Sequence, residues 1–353
     1  MKITPSFFFE KLQCAYNDSL PFVAYRYPFA NTIKASIQKN DTVYYTNDYT
    51  EQGFVFAPFD DRKPAILFPL SESEILATTT IGLDKEAITA IGKFNYSPLP
   101  EETQLTYQNL IQKSIDFLKT TKVKKVVMSR RQVVDYPSFR LIETFKKVLV
   151  TYANALVYIW FHPKIGLWIG ATPETLLKVR GTTFTTMALA GTQVYRGKVA
   201  VVWQQKEIEE QQFVTDYIVE KLINVSISKP TTIRAGSLLH LCTTISGELS
   251  QGLTLHKLIR LLHPTPAVCG LPQQEAKKFI LENEGYQREF YTGFLGEINI
   301  DNTSSLFVNL RCMQVLDGQL TIYIGGGITK DSIPEKEWEE TVAKSQILLK
   351  ALV

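Results

Sequence analysis

The sequence predicts an α+β protein with large antiparallel sheets, and two observations point to this class. Many short strand patterns follow one another along the chain, and helical patterns interrupt them at irregular intervals rather than after every strand. No repeat, low-complexity stretch or Pro/Gly/Ser-rich linker divides the 353 residues. We therefore expect one large sheet-based unit, a size that single enzyme domains of this kind can reach.

The N-terminal third has the pattern of short strands and turns. Its clearest strand patterns are Thr42–Tyr45, Phe54–Phe56 and Pro64–Pro69. An amphipathic helix is predicted over residues 103–120, because the apolar residues there recur at helical spacing. The residues expected on its buried face are Leu105, Leu110, Ile111, Ile115 and Leu118.

Beyond residue 120, strand patterns outnumber helical ones. Helices are predicted over Ile142–Tyr152, Lys206–Val225 and Glu337–Leu352. Strands are predicted over Val123–Val134, Leu156–Phe161, Leu167–Ile169, Thr175–Val179, Thr183–Met187, Leu306–Val315 and Leu320–Ile324. The second and third of these strands are expected to form a hairpin around the HPKIG segment.

Composition excludes several classes of function. The net charge is only +3 and no long basic run exists, which argues against nucleic-acid binding. The four cysteines and four histidines are not paired at ligand spacing, so a metal here is expected to be oxygen-bound rather than a zinc site. No segment has the pattern of a secretory leader or a membrane span, so we expect a cytoplasmic protein.

The C-terminal segment combines groups that suit an anionic ligand. Gly325–Gly327 follow a strand pattern, where free backbone N–H groups bind carboxylates and glycine allows a ligand to approach closely. Ser332 and Glu335 have the spacing of a helix capping box. In the helix that follows, Glu337, Glu340 and Lys344 share one face and could hold a cation and an anion. A strand bulge and a solvated Glu–Lys pair are the simpler interpretations of these features.

Two further residues break the pattern of their segments. Lys125 shares a strand face with Val127 and Ser129, so it is either a desolvated general base or an edge lysine that reaches solvent. Glu210 lies on the apolar stripe of its helix and needs a polar partner, although Glu207 lies near the same stripe.

Three other candidates are less distinctive by themselves. Glu174 is either a turn residue or a general acid, and Arg311 is either an exposed arginine or a carboxylate clamp. The loop His263–Pro272 holds three prolines, which predicts a rigid shape. His240 and His263 are expected to be structural.

Taken in order, these segments resemble the chorismate-utilising enzymes, a family that includes isochorismate, salicylate, anthranilate and aminodeoxychorismate synthases. The matching segments run from Lys125 to Lys344 and cover most of the C-terminal two thirds of the chain. They are KVVMSR, GATPETLL, ALAGT, EEQQFVTDYI, HLCTTISGEL, HPTPAVCGLP, REFYTGFLG, VNLRC and GGGITKDSIPEKEWEETVAK.

The resemblance implies one α/β sandwich of layered antiparallel sheets flanked by helices, with the active site between the sheets. Residues 1–100 would be a sheet region of the same unit, and residues 101–353 the chorismate-binding core. Lys125 occupies the general-base position and Glu174 the general-acid position. Glu210 and Glu340 match the Mg²⁺ carboxylates, with Glu337 close by. The implied substrate contacts are Gly191, Thr192, Ala267, Tyr291, Arg311, Gly325, Gly326, Gly327 and Lys344.

Three positions depart from the family pattern. Gln211 stands where a histidine is common, Ile208 where an arginine is common, and Ala188 where the proline of PLAGT is usual. None of these changes removes a group with a direct chemical role in the implied reaction.

The resemblance implies a Mg²⁺-dependent isochorismate synthase that takes chorismate as its substrate, with no obligatory protein partner. Menaquinone biosynthesis is favoured over siderophore biosynthesis because no carrier or partner domain is attached. A salicylate synthase uses the same lysine and acid and stays open as an alternative, as does a non-catalytic chorismate-binding paralogue. An ammonia-using synthase is disfavoured, since such relatives typically lack a lysine at the position of Lys125.

Overall fold

Two antiparallel sheets packed face to face form the centre of the molecule. The structure, a computed structural model, describes residues 1–83, 100–137, 139–195, 197–235, 238–249 and 252–352. Within these ranges seven helices lie around the two sheets. The predicted α+β class with large antiparallel sheets is therefore confirmed.

The helices are numbered here in chain order. They are α1 Pro5–Asn17, α2 Glu101–Thr120, α3 Leu141–Thr151, α4 Gln205–Lys221, α5 Leu255–Leu262, α6 Gln273–Asn283 and α7 Pro334–Leu352. No helix among the described residues combines the length and the apolar character that a membrane crossing requires.

The first sheet has nine strands in the order β15-β7-β19-β18-β9-β8-β1-β2-β6. In chain order its strands are β1 Phe22–Arg26, β2 Thr32–Gln38, β6 Ser73–Thr79, β7 Lys125–Asp135, β8 Leu156–His162, β9 Gly166–Thr172, β15 Gly270–Leu271, β18 Cys312–Leu316 and β19 Gln319–Ile328. The predicted hairpin is formed by β8 and β9, which pair from Leu156–Thr172 to His162–Gly166.

The second sheet has the order β12-β14-β11-β10-β17-β16-β4-β5-β3, and β13 pairs with β14 beside this path. Its strands are β3 Tyr44–Thr46, β4 Gly53–Ala57, β5 Ala65–Pro69, β10 Thr175–Arg180, β11 Thr183–Val194, β12 Ser226–Ile227, β13 Thr231–Ala235, β14 Leu238–Glu248, β16 Phe294–Ile300 and β17 Thr303–Val308.

Successive side chains along each strand point to opposite faces of the sheet, so each sheet contributes to two apolar layers. In β8, Tyr158 and Trp160 point into an aromatic core between the sheets, whereas Val157 and Ile159 point to the opposite face. That opposite face is covered by α1 and α3. The outer face of the second sheet is covered by α4 and α5. The near-continuous apolar sequence of β8 follows from this burial on both faces.

A separate apolar cluster surrounds the β7 edge of the first sheet. It is formed by α2, α6, the start of α7 and residues such as Val126 and Met128 of β7. The buried face of α2 consists of Tyr107, Ile111, Ser114, Ile115 and Leu118. The prediction that Leu105 belongs to this face is wrong, since its side chain is 53% exposed.

Strands from the N-terminal 83 residues lie in both sheets: β1, β2 and β6 in the first, and β3, β4 and β5 in the second. The proposed boundary near residue 100 adjoins residues 84–99, which lie outside the described residues, and it stays a prediction.

The chain crosses between the sheets at a point where a single strand was predicted. The expected strand Leu306–Val315 is wrong: β17 ends at Val308 in the second sheet, and β18 begins at Cys312 in the first. Arg311 has a φ of 46° at this crossing, a conformation that disfavours continued strand geometry for a residue with a side chain. The apolar alternation continues across the break, because both strands bury side chains in the same inter-sheet core.

Candidate active site

Two neighbouring crossings between the sheets bring Glu174 and Arg311 to one place. Glu174 lies between β9 of the first sheet and β10 of the second, and Arg311 lies between β17 and β18. The crossings are joined by backbone hydrogen bonds from Val308 N to Glu174 O (3.0 Å) and from Ala171 N to Arg311 O (3.1 Å). Residues 137 positions apart in the chain are thereby held beside each other.

Glu174 is a buried carboxyl group next to two cations. Its side chain is 5% exposed, and burial raises its pKa to about 7. The positive charges of Lys125 and Arg311, with the Thr265 hydroxyl, act in the opposite direction. Burial also lowers the pKa of Arg311 from its usual value. A carboxyl group with a pKa near 7 can both hold and release a proton at neutral pH.

The glycine triplet lies inside β19 rather than after it, which corrects the sequence prediction. Gly325, Gly326 and Gly327 pair with Ser129, Met128 and Val127 of β7. On the other side of β19, the pairing with β18 extends only as far as Ile322. One edge of the triplet is therefore not paired with β18.

Side chains approach the triplet closely, and a Cβ at Gly325 or Gly327 would force neighbouring atoms to shift. A Cβ on Gly327 would lie 2.7 Å from Cε of Lys125 and 3.9 Å from Oε1 of Glu210. A Cβ on Gly325 would lie 2.9 Å from the hydroxyl of Tyr291. The triplet thus brings a lysine, a glutamate and a tyrosine from distant segments to three consecutive residues.

Gly326 faces the start of α7. A Cβ on Gly326 would lie 3.4 Å from Oε2 of Glu337, 4.0 Å from Oε1 of Glu340 and 4.0 Å from the hydroxyl of Tyr107. The other oxygen of Glu337 accepts a hydrogen bond from Ser332 (2.7 Å). The predicted capping box differs accordingly, since α7 begins at Pro334 and the Ser332 hydroxyl orients Glu337.

Each of the two main metal-ligand candidates forms an ion pair. Nζ of Lys125 lies 2.7 Å from Oε1 of Glu210, and Nζ of Lys344 lies 2.6 Å from Oε1 of Glu340. Lys344 also donates to the carbonyl of Gly325 (3.0 Å). Glu207, the alternative to Glu210, instead accepts from the backbone N–H of Gln204 at the start of α4 (2.8 Å).

These carboxylates fit a hard divalent cation. Among the described residues, no group of three or more His, Cys, Asp or Glu side chains is already gathered closely enough to hold a metal. The glutamates do, however, face the same glycine triplet with oxygen donors only. Mg²⁺ retains several waters and uses one or two protein carboxylates together with ligand oxygens, so Glu210 and Glu340, with Glu337 beside them, suit it.

Two further candidates, Tyr291 and Ala267, are held by different segments of the chain. The Tyr291 ring stacks on Tyr323 (5.3 Å between centroids), which fixes its hydroxyl near Gly325. Ala267 is partly buried in the loop that leads into β15, where Leu271 pairs with Lys125. The structure thus connects this loop to the strand that carries Lys125.

The ALAGT segment forms a bulge in β11. The pairing with β14 shifts between Ala190 and Gln193, and Gly191 has a φ of +69°, which favours glycine. Nδ1 of His240 donates to the Gly191 carbonyl (2.9 Å). Burial, aided by the charge of Arg311, lowers the pKa of His240 to about 4, so this histidine is neutral at neutral pH. The side chain of Thr192 lies outside the described residues.

The three residues that depart from the family pattern lie in α4 and β11. Gln211 donates to Thr215 (2.9 Å) and Thr243 (2.7 Å), and thereby ties α4 to β14. Ile208 is 43% exposed, and Ala188 is fully buried in the core of the second sheet.

Sequence reasoning missed a buried ion pair behind the site and two polar groups in its wall. Arg288 and Glu284 form a bidentate pair, and Glu284 also accepts from the backbone and hydroxyl of Ser129. Thr265 lies beside Glu174, and Tyr107 faces Gly326. The helical spacing of Tyr107 with Ile111 and Leu118 was a usable signal for its burial. The i, i+4 spacing of Glu284 and Arg288 was only a weak signal for the ion pair, because both residues follow the end of α6.

Comparison with known proteins agrees with this architecture. Residues 74–353 match the family described as chorismate binding enzyme. Isochorismate synthase EntC of Escherichia coli strain K12 is 28% identical over 314 residues, which cover 83% of this chain and 78% of that protein. The vibriobactin-specific isochorismate synthase of Vibrio cholerae is 24% identical, over 96% of this chain and 86% of its own length.

A solved structure shares the fold over nearly the whole molecule. MenF, the menaquinone-specific isochorismate synthase from Escherichia coli, superposes with a TM-score of 0.75 at 19% identity, covering 94% of this chain and 89% of that one. The family match spans most of the chain and includes the two sheet crossings, the glycine triplet and α7. The protein therefore belongs to the family of chorismate binding enzymes.

Proposed function

We propose that this protein is a Mg²⁺-dependent isochorismate synthase, which interconverts chorismate and isochorismate by water addition at C2 and loss of the C4 hydroxyl. The proposal depends mainly on one observation: Lys125 and Glu174 lie close enough for the lysine charge to affect the pKa of the buried carboxyl group. A basic and an acidic group around one space are the pair that this reaction needs.

The two residues divide the proton transfers. Lys125, as the neutral amine, accepts a proton from a water molecule as the water oxygen forms its bond to C2. The ring double bond shifts as the C4–O bond breaks, and Glu174 donates its proton to the departing hydroxyl, which leaves as water. One water enters and one leaves, so the product is an isomer of the substrate. In the reverse direction Glu174 is the base and Lys125 the acid.

The other candidates bind and orient the substrate. Arg311 suits one substrate carboxylate, because a guanidinium offers paired donors to two carboxylate oxygens. The unpaired edge of Gly325–Gly327, with Lys344 beside it, suits the other. Tyr291, Ala267, Gly191 and Thr192 are the remaining proposed substrate contacts.

Glu210 and Glu340, with Glu337 next to them, are the proposed Mg²⁺ ligands. Bound Mg²⁺ would neutralise the ring carboxylate and withdraw electron density from the ring as a Lewis acid. Both Glu210 and Glu340 pair with lysines in this structure, so each already holds its carboxylate towards a positive charge.

Menaquinone biosynthesis is the proposed pathway, and the cytoplasm the proposed location. The similar proteins include one named for vibriobactin and one named for menaquinone. Similarity alone therefore gives no preference between the two pathways.

The test is to identify the product. Incubation of the protein with chorismate and Mg²⁺ is expected to give isochorismate by chromatography, and excess chelator is expected to stop the reaction. Formation of salicylate and pyruvate would identify a salicylate synthase instead. Anthranilate formed with ammonium would identify an ammonia-using enzyme, and chorismate binding without turnover a non-catalytic paralogue.

A further inference from the structure

The hydroxyl of Tyr107 is a buried donor that the described protein atoms leave without a hydrogen-bond partner. Tyr107 lies on α2 with 3% of its surface exposed, and its hydroxyl oxygen is fully buried. Buried hydroxyl groups are normally paired, because an unpaired one loses its bonds to water and gains nothing in return. An orphaned donor in a native structure therefore points to a partner that the protein itself does not supply.

The orphaned hydroxyl faces the glycine triplet. The point where a Cβ of Gly326 would lie is 4.0 Å from this hydroxyl, 3.4 Å from Oε2 of Glu337 and 4.0 Å from Oε1 of Glu340. Three oxygen atoms from α2 and α7 thus surround a small space that any side chain at position 326 would fill. One of the three is a donor and the other two are acceptors.

The two glutamates also contact other protein groups. Oε1 of Glu337 accepts from the Ser332 hydroxyl (2.7 Å), and Oε1 of Glu340 pairs with Lys344 (2.6 Å). The Tyr107 ring packs against Trp338, with centroids 6.1 Å apart, so the hydroxyl is held in position. A phenol hydroxyl carries its proton at neutral pH and is therefore a donor.

We propose that Tyr107 is a further ligand-binding residue, whose O–H donates to an oxygen atom that occupies the space over Gly326 when the site is loaded. This inference rests on the proposed function. The oxygen belongs either to a carboxylate of the substrate or to a water that hydrates the divalent cation. In both cases the ligand supplies the acceptor that the free protein lacks.

The decisive variant is Tyr107→Phe, which removes the oxygen and keeps the ring. In the ligand-free protein its melting temperature should equal or exceed that of the parent, because an unpaired buried hydroxyl is removed. Tyr217→Phe is the matched control: its hydroxyl donates to Gln273 (2.5 Å), so its loss should lower the melting temperature. A clear decrease in the melting temperature of ligand-free Tyr107→Phe would overturn the proposal, since the hydroxyl would then have a protein partner.

Binding is measured by calorimetry in a Lys125→Ala background, which prevents turnover. One arm titrates Mg²⁺ alone, and the other titrates chorismate in the presence of Mg²⁺. Tyr107→Phe should weaken binding about tenfold or more in at least one arm, the effect of losing a hydrogen bond to a charged group. A loss with Mg²⁺ alone assigns the oxygen to cation hydration, and a loss only with chorismate assigns it to the substrate.

Unchanged affinities in both arms would overturn the inference while leaving the proposed function intact. If the protein with Tyr107 intact binds no chorismate, either with Lys125 or with Lys125→Ala, the proposed function itself is contradicted. The two failures are therefore distinguishable.

Discussion

Two clusters of charged side chains lie within a few residues of each other along β7, and they are built differently. Ser129 faces the Glu284–Arg288 pair, whose side chains are both 1% exposed. Arg288 also donates to the carbonyls of Val127 and Val268, so this cluster joins β7 to the loop before β15. It is closed, in the sense that its groups are satisfied by other protein groups.

The cluster at Lys125 is open, in the sense that its charged side chains are partly exposed to solvent. Its side chain is 14% exposed and its partner Glu210 is 36% exposed, while Glu340 is 50% exposed in its pair with Lys344. These pairs lie against the glycine triplet. The closed cluster fixes the strand, whereas the open cluster is the one for which binding and catalysis are proposed.

The largest expected effect comes from breaking the open cluster at its proposed base. Lys125→Ala should lower the turnover of chorismate by a factor of roughly 10² to 10⁴, the usual contribution of a general base. Stability should change by less than about 1 kcal/mol, because partly exposed ion pairs contribute little. Steady-state kinetics and thermal unfolding measure the two quantities. Full isochorismate production by a folded Lys125→Ala variant would remove Lys125 from the mechanism.

The closed cluster should respond in the opposite way. Arg288→Met leaves the buried Glu284 carboxylate without its cation and should destabilise the protein by about 3–5 kcal/mol in urea unfolding. Lys278→Met is the matched control, since Lys278 and Glu282 form an exposed i,i+4 pair at 3.9 Å on α6. That control should change stability by less than about 0.5 kcal/mol. Equal effects of the two variants would contradict the distinction between closed and open clusters.

The sequence predicted much of the local structure but little of what joins distant segments. The β8–β9 hairpin and α3 follow from apolar periodicity, which is a local property. The crossing at Arg311 could not be predicted in this way, because the alternation of apolar residues continues from β17 in one sheet into β18 in the other. The choice between Glu207 and Glu210 likewise depended on the helix start, where Glu207 accepts from Gln204.

The candidate site shows the same division. Family motifs named Lys125, Glu174 and Glu340, and the structure gathers these residues around two sheet crossings and the glycine triplet. Tyr107 was missed because its role depends on what lies opposite it across the fold. A hydroxyl on the apolar face of a helix has no local signal that separates a binding group from a core tyrosine.

The smallest expected effect is a pH dependence of stability caused by the buried Glu174 carboxyl group. Burial raises the pKa of Glu174 from 4.5 to about 7, so the folded protein holds this proton more tightly than the unfolded chain does. Well below pH 4.5 the Glu174 carboxyl group is protonated in both the folded and the unfolded state, so it does not change the free energy of unfolding. As pH rises towards 7 the unfolded chain ionises first, and stability falls by up to about 3 kcal/mol.

Glu174→Gln removes this cost together with the proposed acid. The variant should match the parent in urea unfolding at pH 4, and should exceed its stability by up to about 3 kcal/mol at pH 8 while losing activity. Glu282→Gln, which changes an exposed glutamate, is the matched control. A stability difference for Glu174→Gln that stays constant from pH 4 to pH 8 would mean that the carboxyl group is not held protonated by burial. In that case the proposed general acid would not carry a stability cost for its chemistry.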